Sequence, residues 1–95
     1  MVKIMARISA RAGSETKLRA VLQDLLHPSR NEAGCVSYEL FQNEDNPLEF
    51  VTVEQWTDQA AVGAHLAAPH VATAITLASE LLAQPPLIHR FRQVL

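Results

Sequence analysis

The chain has 95 residues, enough for one domain, residues 1–95, but a chain this short buries only about 60–65% of the surface its unfolded form exposes, so its own stability is modest and a partner's buried area would add to it. A hydrophobic share of 48% suits a globular fold, and a formal charge of −2 with no basic cluster excludes a surface that tracks a phosphate backbone, so nucleic acid is not an expected partner. Cys35 is the only cysteine, which excludes an intramolecular disulfide and a thiolate metal cluster within the chain and fits a reducing cytoplasm.

At the N-terminus Lys3 and Arg7 interrupt what a signal peptide's apolar core would need. Val2 to Ala10 instead alternates, with Val2, Ile4, Ala6 and Ile8 on one face and Lys3, Met5, Arg7 and Ser9 on the other, which predicts a first strand. Gly13-Ser14-Glu15 then offers a break, an N-cap hydroxyl and a first-turn acid. Leu18, Val21, Leu22, Leu25 and Leu26 follow at spacings of three and four, a helix of about three turns. Pro28 disfavours its uninterrupted continuation; Ser29 to Ala33 can add a turn before Gly34 ends it in a left-handed conformation.

Cys35 to Gln42 reads as a second strand and Glu49 to Trp56 as a third, joined as a hairpin by the turn-forming run Asn43-Glu44-Asp45-Asn46-Pro47. Thr57-Asp58 supplies capping oxygens to a helix that sets Val62, His65 and Leu66 on one side, so His65 points inward. Pro69 suits the first turn of a further helix with Val71, Ala74, Ile75, Ala78 and Leu82 as its inner stripe, stopped by Gln84-Pro85-Pro86. Leu87 to Val94 closes the chain as a fourth strand. No apolar run approaches the ~20 residues of a membrane span, so a soluble, cytoplasmic protein is expected, with no membrane partner.

The order strand, helix, strand, strand, helix, strand is that of a ferredoxin-like α+β domain, an antiparallel sheet with its helices on one face. The other face is then bare, yet strand three carries Phe50 and Trp56 on one side and Val51 and Val53 on the other, and strand two splits Val36, Tyr38 and Leu40 from Phe41. Apolar residues on both sides imply that both are covered. A homodimer with two sheets packed face to face, a dimeric α+β barrel, meets that need.

Four segments carry a family resemblance: Arg11-Ala12-Gly13 before the first helix, Gly34-Cys35-Val36-Ser37-Tyr38 entering strand two, Glu54-Gln55-Trp56 ending strand three, and His65-Leu66-Ala67-Ala68-Pro69-His70. Together they resemble the antibiotic biosynthesis monooxygenase domain family over nearly the whole chain. That resemblance implies the dimeric α+β barrel, and it admits cofactor-free oxygenases of quinols and polycyclic phenols, haem-degrading enzymes, a sugar isomerase and members without a known reaction. The haem-degrading pattern has an asparagine on the first strand, a tryptophan on the helix after strand three and an iron-ligating histidine beyond. Here the first strand has no Asn, His65 stands at the tryptophan position and Ile75 at the ligand position. A lone imidazole, His65 or His70, is too little to assign a metal, so neither metal nor cofactor is expected.

A cofactor-free oxygenase acts on an electron-rich small aromatic with O2, and the substrate must first lose a proton because its anion gives up the electron. A phenol near pKa 10 and a free imidazole near 6.5 make that transfer uphill by roughly 5 kcal/mol. A carboxylate against the imidazolium and donors facing the substrate oxygen offset much of it. His65 is therefore the candidate base and Glu54 its carboxylate partner; Glu54, on a core-facing strand position, can alternatively be satisfied by Arg7 or Arg90. Trp56 fills the core or lines the pocket, His70 contacts substrate or caps the chain locally, and the Tyr38 hydroxyl donates to an oxyanion or simply packs. Arg7 neutralises an anionic substrate or sits in water beside Lys3. An isomerase or decyclase using the same acid–imidazole pair, and a stress-response module that binds a small molecule without catalysis, remain open alternatives.

Overall fold

The computed structural model describes all residues, Met1–Leu95. Seven elements follow in chain order: β1 Val2–Ser9, α1 Glu15–Arg30, β2 Cys35–Gln42, β3 Glu49–Trp56, α2 Gln59–Leu66, α3 Pro69–Ala78 and β4 Leu87–Phe91. The four strands form one antiparallel sheet in the order β2-β3-β1-β4, the ferredoxin-like arrangement.

Register fixes which side chains share a face. Ile4 lies opposite Glu54, Ala6 opposite Thr52 and Ile8 opposite Phe50 across β1 and β3, while Tyr38 of β2 lies opposite Glu54 on its other side. These residues are buried, and β3 alternates strictly between buried and half-buried positions as a strand with one covered face must. The core beneath the helices has two parts, one around Leu18, Leu22, Phe50 and Ala78, the other around Ile4, Tyr38, Trp56 and Val62. A bulge between Cys35 and Ser37 takes Val36 out of the alternation and leaves it exposed, so it does not share a covered face with Tyr38 and Leu40 as its spacing suggested.

Several local expectations are corrected. Helix α1 runs straight through Pro28 to Arg30, since a proline this near the C-terminus removes a single hydrogen bond of the ladder. Ser14 makes no side-chain cap; Glu15 Oε2 instead accepts from the backbone N–H of Gly13, whose φ of +87° is the one left-handed conformation in the chain. Gly34 is not left-handed, and its constraint is steric: a Cβ there would collide with the Ala61 side chain of α2 and press on the Thr57 hydroxyl. Asp58 does cap α2, accepting from Ala61 N–H at 2.8 Å. Helix α3 ends at Ala78, short of Gln84, because the chain turns there to let Leu82 bridge to Ala10. Leu66 and Ile75 are largely exposed and not buried in the core, and β4 stops at Phe91 instead of Val94. No single helix is long and apolar enough to cross a membrane; α2 and α3 together pass by length and composition but are bent by 52° at their break.

Candidate active site

Between the covered sheet face and the three helices lies a cavity of about 270 Å³. Its walls are apolar, from Ile4, Ala6 and Ile8 of β1, Leu22 and Leu25 of α1, and Val71, Ala74 and Ala78 of α3. Leu66, Ile75 and Ile88 line it while remaining exposed, so they form its mouth. The polar side chains that reach it, Tyr38, Thr52, Glu54 and His65, gather at one end.

His65 is placed there by α2, whose Asp58 cap fixes the entry of the helix and whose Val62 and His65 turn inward. Aromatic neighbours confine the imidazole: its ring centroid is 4.5 Å from that of Trp56 and 5.7 Å from that of Tyr38. Its Nδ1 lies 2.6 Å from Glu32 Oε2, and His70 Nε2 lies 3.0 Å from the same oxygen. An ionised carboxylate only accepts, so both ring nitrogens carry their protons toward Glu32. In the neutral ring this contact selects the Nδ1–H tautomer and leaves Nε2 as the acceptor. That Nε2 faces Glu54 Oε1 at 3.9 Å, beyond hydrogen-bond range but within a side-chain shift of about 1 Å of it.

Glu54 is itself pinned by its neighbours on the same strand face. Thr52 Oγ1 donates to Oε2 at 2.7 Å and the Trp56 indole N–H donates to Oε1 at 3.0 Å. This is how the fold satisfies a carboxylate that is 4% exposed, and neither Arg7 nor Arg90 takes part. Arg7 pairs with Glu49 at 3.5 Å on the opposite sheet face, away from the cavity, and Arg90 donates to Gln59. Burial, and then the adjacent Glu54 carboxylate, push the Tyr38 phenol well above its ordinary range, so at neutral pH Tyr38 is a hydroxyl and not a base. Burial, and then the Glu32 charge, also push the Cys35 thiol up, which lowers its thiolate fraction.

The structure thus brings Glu54, His65 and Tyr38 to one cavity wall, sets Trp56 behind it as a fully buried donor, and leaves His70 outside the lining but joined to His65 through Glu32. Glu32 is the residue that reading the sequence missed. It lies in the turn after α1, 33 positions from its partner, and nothing local marks it out except the Gly34 beside it. Without a side chain on Gly34 that turn closes against α2, with Thr57 N–H bonded to the Gly34 carbonyl at 2.9 Å, and Glu32 comes within reach of both imidazoles.

The fold is a ferredoxin-like α+β domain that encloses an apolar cavity with an acid–imidazole group at one end. The chain belongs to the antibiotic biosynthesis monooxygenase family, whose model matches residues 1–77, a span that contains every residue of the cavity's polar end. A Mycobacterium tuberculosis protein named "Putative monooxygenase" is 33% identical over 84 residues, covering 88% of this chain and 82% of the relative. Its solved structure superposes with a TM-score of 0.91 over 98% of this chain and 94% of that one. A structure from Pseudomonas aeruginosa is 31% identical with a TM-score of 0.93, covering 99% of this chain and 94% of that one. The chain spans 62% of the length of an uncharacterized Synechocystis protein to which it is 26% identical over 91 residues.

Proposed function

We propose that this protein is a cofactor-independent monooxygenase of small electron-rich aromatics, quinols or anthrone-like phenols, and that His65 is its base. The observation that carries the reading is the 2.6 Å contact of His65 Nδ1 with Glu32 Oε2: a neutral imidazole that donates there leaves the nitrogen turned toward the cavity's acidic end with a free lone pair. An apolar cavity of about 270 Å³ suits a flat aromatic and excludes the water that would otherwise solvate its anion.

In this mechanism Nε2 takes the substrate's proton, and the imidazolium formed lies between the Glu32 and Glu54 carboxylates. Tyr38, kept as a hydroxyl, is the donor available to the substrate oxyanion. The carbanion or phenolate passes one electron to O2, and the radical pair joins through a new C–O bond as a peroxide. The imidazolium returns its one proton to the peroxide; as the O–O bond breaks, the hydrogen left on that carbon departs as a proton, so the carbon becomes a quinone carbonyl and the outer oxygen leaves as water. Family membership and relatives named for monooxygenase activity support this class of reaction.

We further propose that the working unit is a homodimer, formed through the sheet face that carries no helix. Met5, Phe41, Leu87 and Phe91 are exposed on that face beside half-buried Val51 and Val53. The test of function is O2 uptake on a panel of quinols, anthrones and catechols with no flavin, haem or metal added, where at least one should be consumed with one O2 per turnover. His65→Ala should slow that reaction by about tenfold or more. Absence of uptake across the panel overturns the oxygenase, and substrate turnover without O2 loss assigns the pocket to an isomerase or decyclase.

A further inference from the structure

We propose that Glu32, His65 and His70 form a binding site for one divalent transition-metal cation, with Zn2+ as the best-matched ion. Two imidazoles and one carboxylate are a donor set suited to zinc, which takes three protein ligands and a water in an open site. The three donor atoms lie within 4.8 Å of one another, and no ion is present. Zinc bonds of about 2.1 Å in tetrahedral array hold donor atoms about 3.4 Å apart. Glu32 Oε2 sits 2.6 Å from one nitrogen and 3.0 Å from the other, so displacements of about 1 Å or less open the cluster to an ion.

The surroundings favour the same conclusion. The donor side chains are only 6%, 17% and 24% exposed for His65, Glu32 and His70, dry enough to strengthen coordination, and the edge of His70 leaves a way in from solvent. Glu32 lies on a turn, free of helix or strand constraint, and can swing as the ion enters. The site meets the cavity only at His65: it uses Nδ1, the nitrogen toward Glu32, and neither Glu32 nor His70 lines the cavity. A bound cation must replace the Nδ1 proton, which sends the ring's proton to Nε2. On the reading that Nε2 is the base, the filled site is an inhibitory one; the binding itself does not depend on that reading.

The test measures binding in the absence of any substrate. A tag-free chain, stripped with chelator, is titrated with Zn2+ by calorimetry, with Mg2+ as a control and Co2+ as an optical and paramagnetic probe. One Zn2+ per chain at micromolar affinity or tighter is expected, with Mg2+ silent. Glu32→Gln and His70→Gln should each weaken binding by about tenfold or more, while His89→Gln leaves it unchanged. Co2+ should shift the ring protons of His65 and His70 in the unaltered chain, a readout that stands even if a variant folds poorly. Failure to bind Zn2+ below millimolar concentrations, or Co2+ shifts confined to other histidines, means that the cluster holds protons only and overturns the site.

Discussion

His65 and Glu54 face one another as their types and positions suggested, but the hydrogen bond that orients the imidazole comes from Glu32. The two carboxylates therefore divide the labour. In the proposed mechanism Glu32 orients the ring from behind, and Glu54, held by Thr52 and Trp56, faces the imidazolium on the cavity side. Glu32→Gln keeps an acceptor oxygen for Nδ1–H and removes the charge, so it is expected to lower kcat about tenfold with KM little changed. Glu32→Ala should lower kcat further, because the ring then loses its tautomer as well. Equal kcat for both variants and the unaltered chain would show that His65 works without this carboxylate. Tyr38 makes a second prediction at the same scale. It is the only tyrosine, so phenolate absorbance reports it alone. Its folded-state pKa is raised, so the folded chain keeps this proton where the unfolded chain, near pKa 10, has lost it. The stability it contributes is intact below about pH 10 and is lost as pH rises beyond it. Phenolate should appear only together with alkaline unfolding, and Tyr38→Phe should move that unfolding to higher pH; a free titration near pH 10 in folded protein would contradict the buried position.

The elements themselves were largely legible. The β-prone run Glu49–Trp56 and the three-and-four spacing after Glu15 give β3 and α1 because propensity and side-chain period are local properties of the chain. The misreadings fall where a local rule was overridden by packing. Pro28 did not end α1, and Gly34 was kept for a contact 27 positions away, with Ala61, and not for a backbone angle. The Glu32–His65–His70 cluster was illegible for the same reason, since it depends on that close approach of turn and helix. Gly34→Ala tests the connection: overpacking of this kind costs about 1–3 kcal/mol, so Tm should fall by several degrees. The turn should also back away from α2, so the remaining folded protein should show a weakened Glu32–His65 bond, read as an altered Nδ1–H proton resonance. An unchanged resonance would separate the glycine from the site.

At the scale of the molecule the unresolved balance is between two sheet faces. One is sealed by three helices, while the other presents Met5, Phe41, Val51, Val53, Leu87 and Phe91 among Lys3, Arg7, Glu39 and Glu49. A chain of 10.5 kDa has little surplus stability with which to leave such a face in water. Charged residues are interspersed with the apolar ones: Arg7 lies between Val51 and Leu87, and its charge is met by Glu49 at 3.5 Å. Val53 is central, opposite Met5 on one side and Glu39 on the other. Val53→Lys puts a long charged side chain in the middle of the patch, where a face-to-face dimer has neither room for its stem nor water for its ammonium, even with Glu39 beside it. Sedimentation should give twice the 10.5 kDa chain mass for the unaltered protein and a monomer for Val53→Lys at the same concentration. Lys on the exposed Ala72 of α3, on the helical side, should leave the dimer intact. A monomeric unaltered chain at tens of micromolar would remove the dimer, and a Val53→Lys dimer would move the interface to another face of the domain.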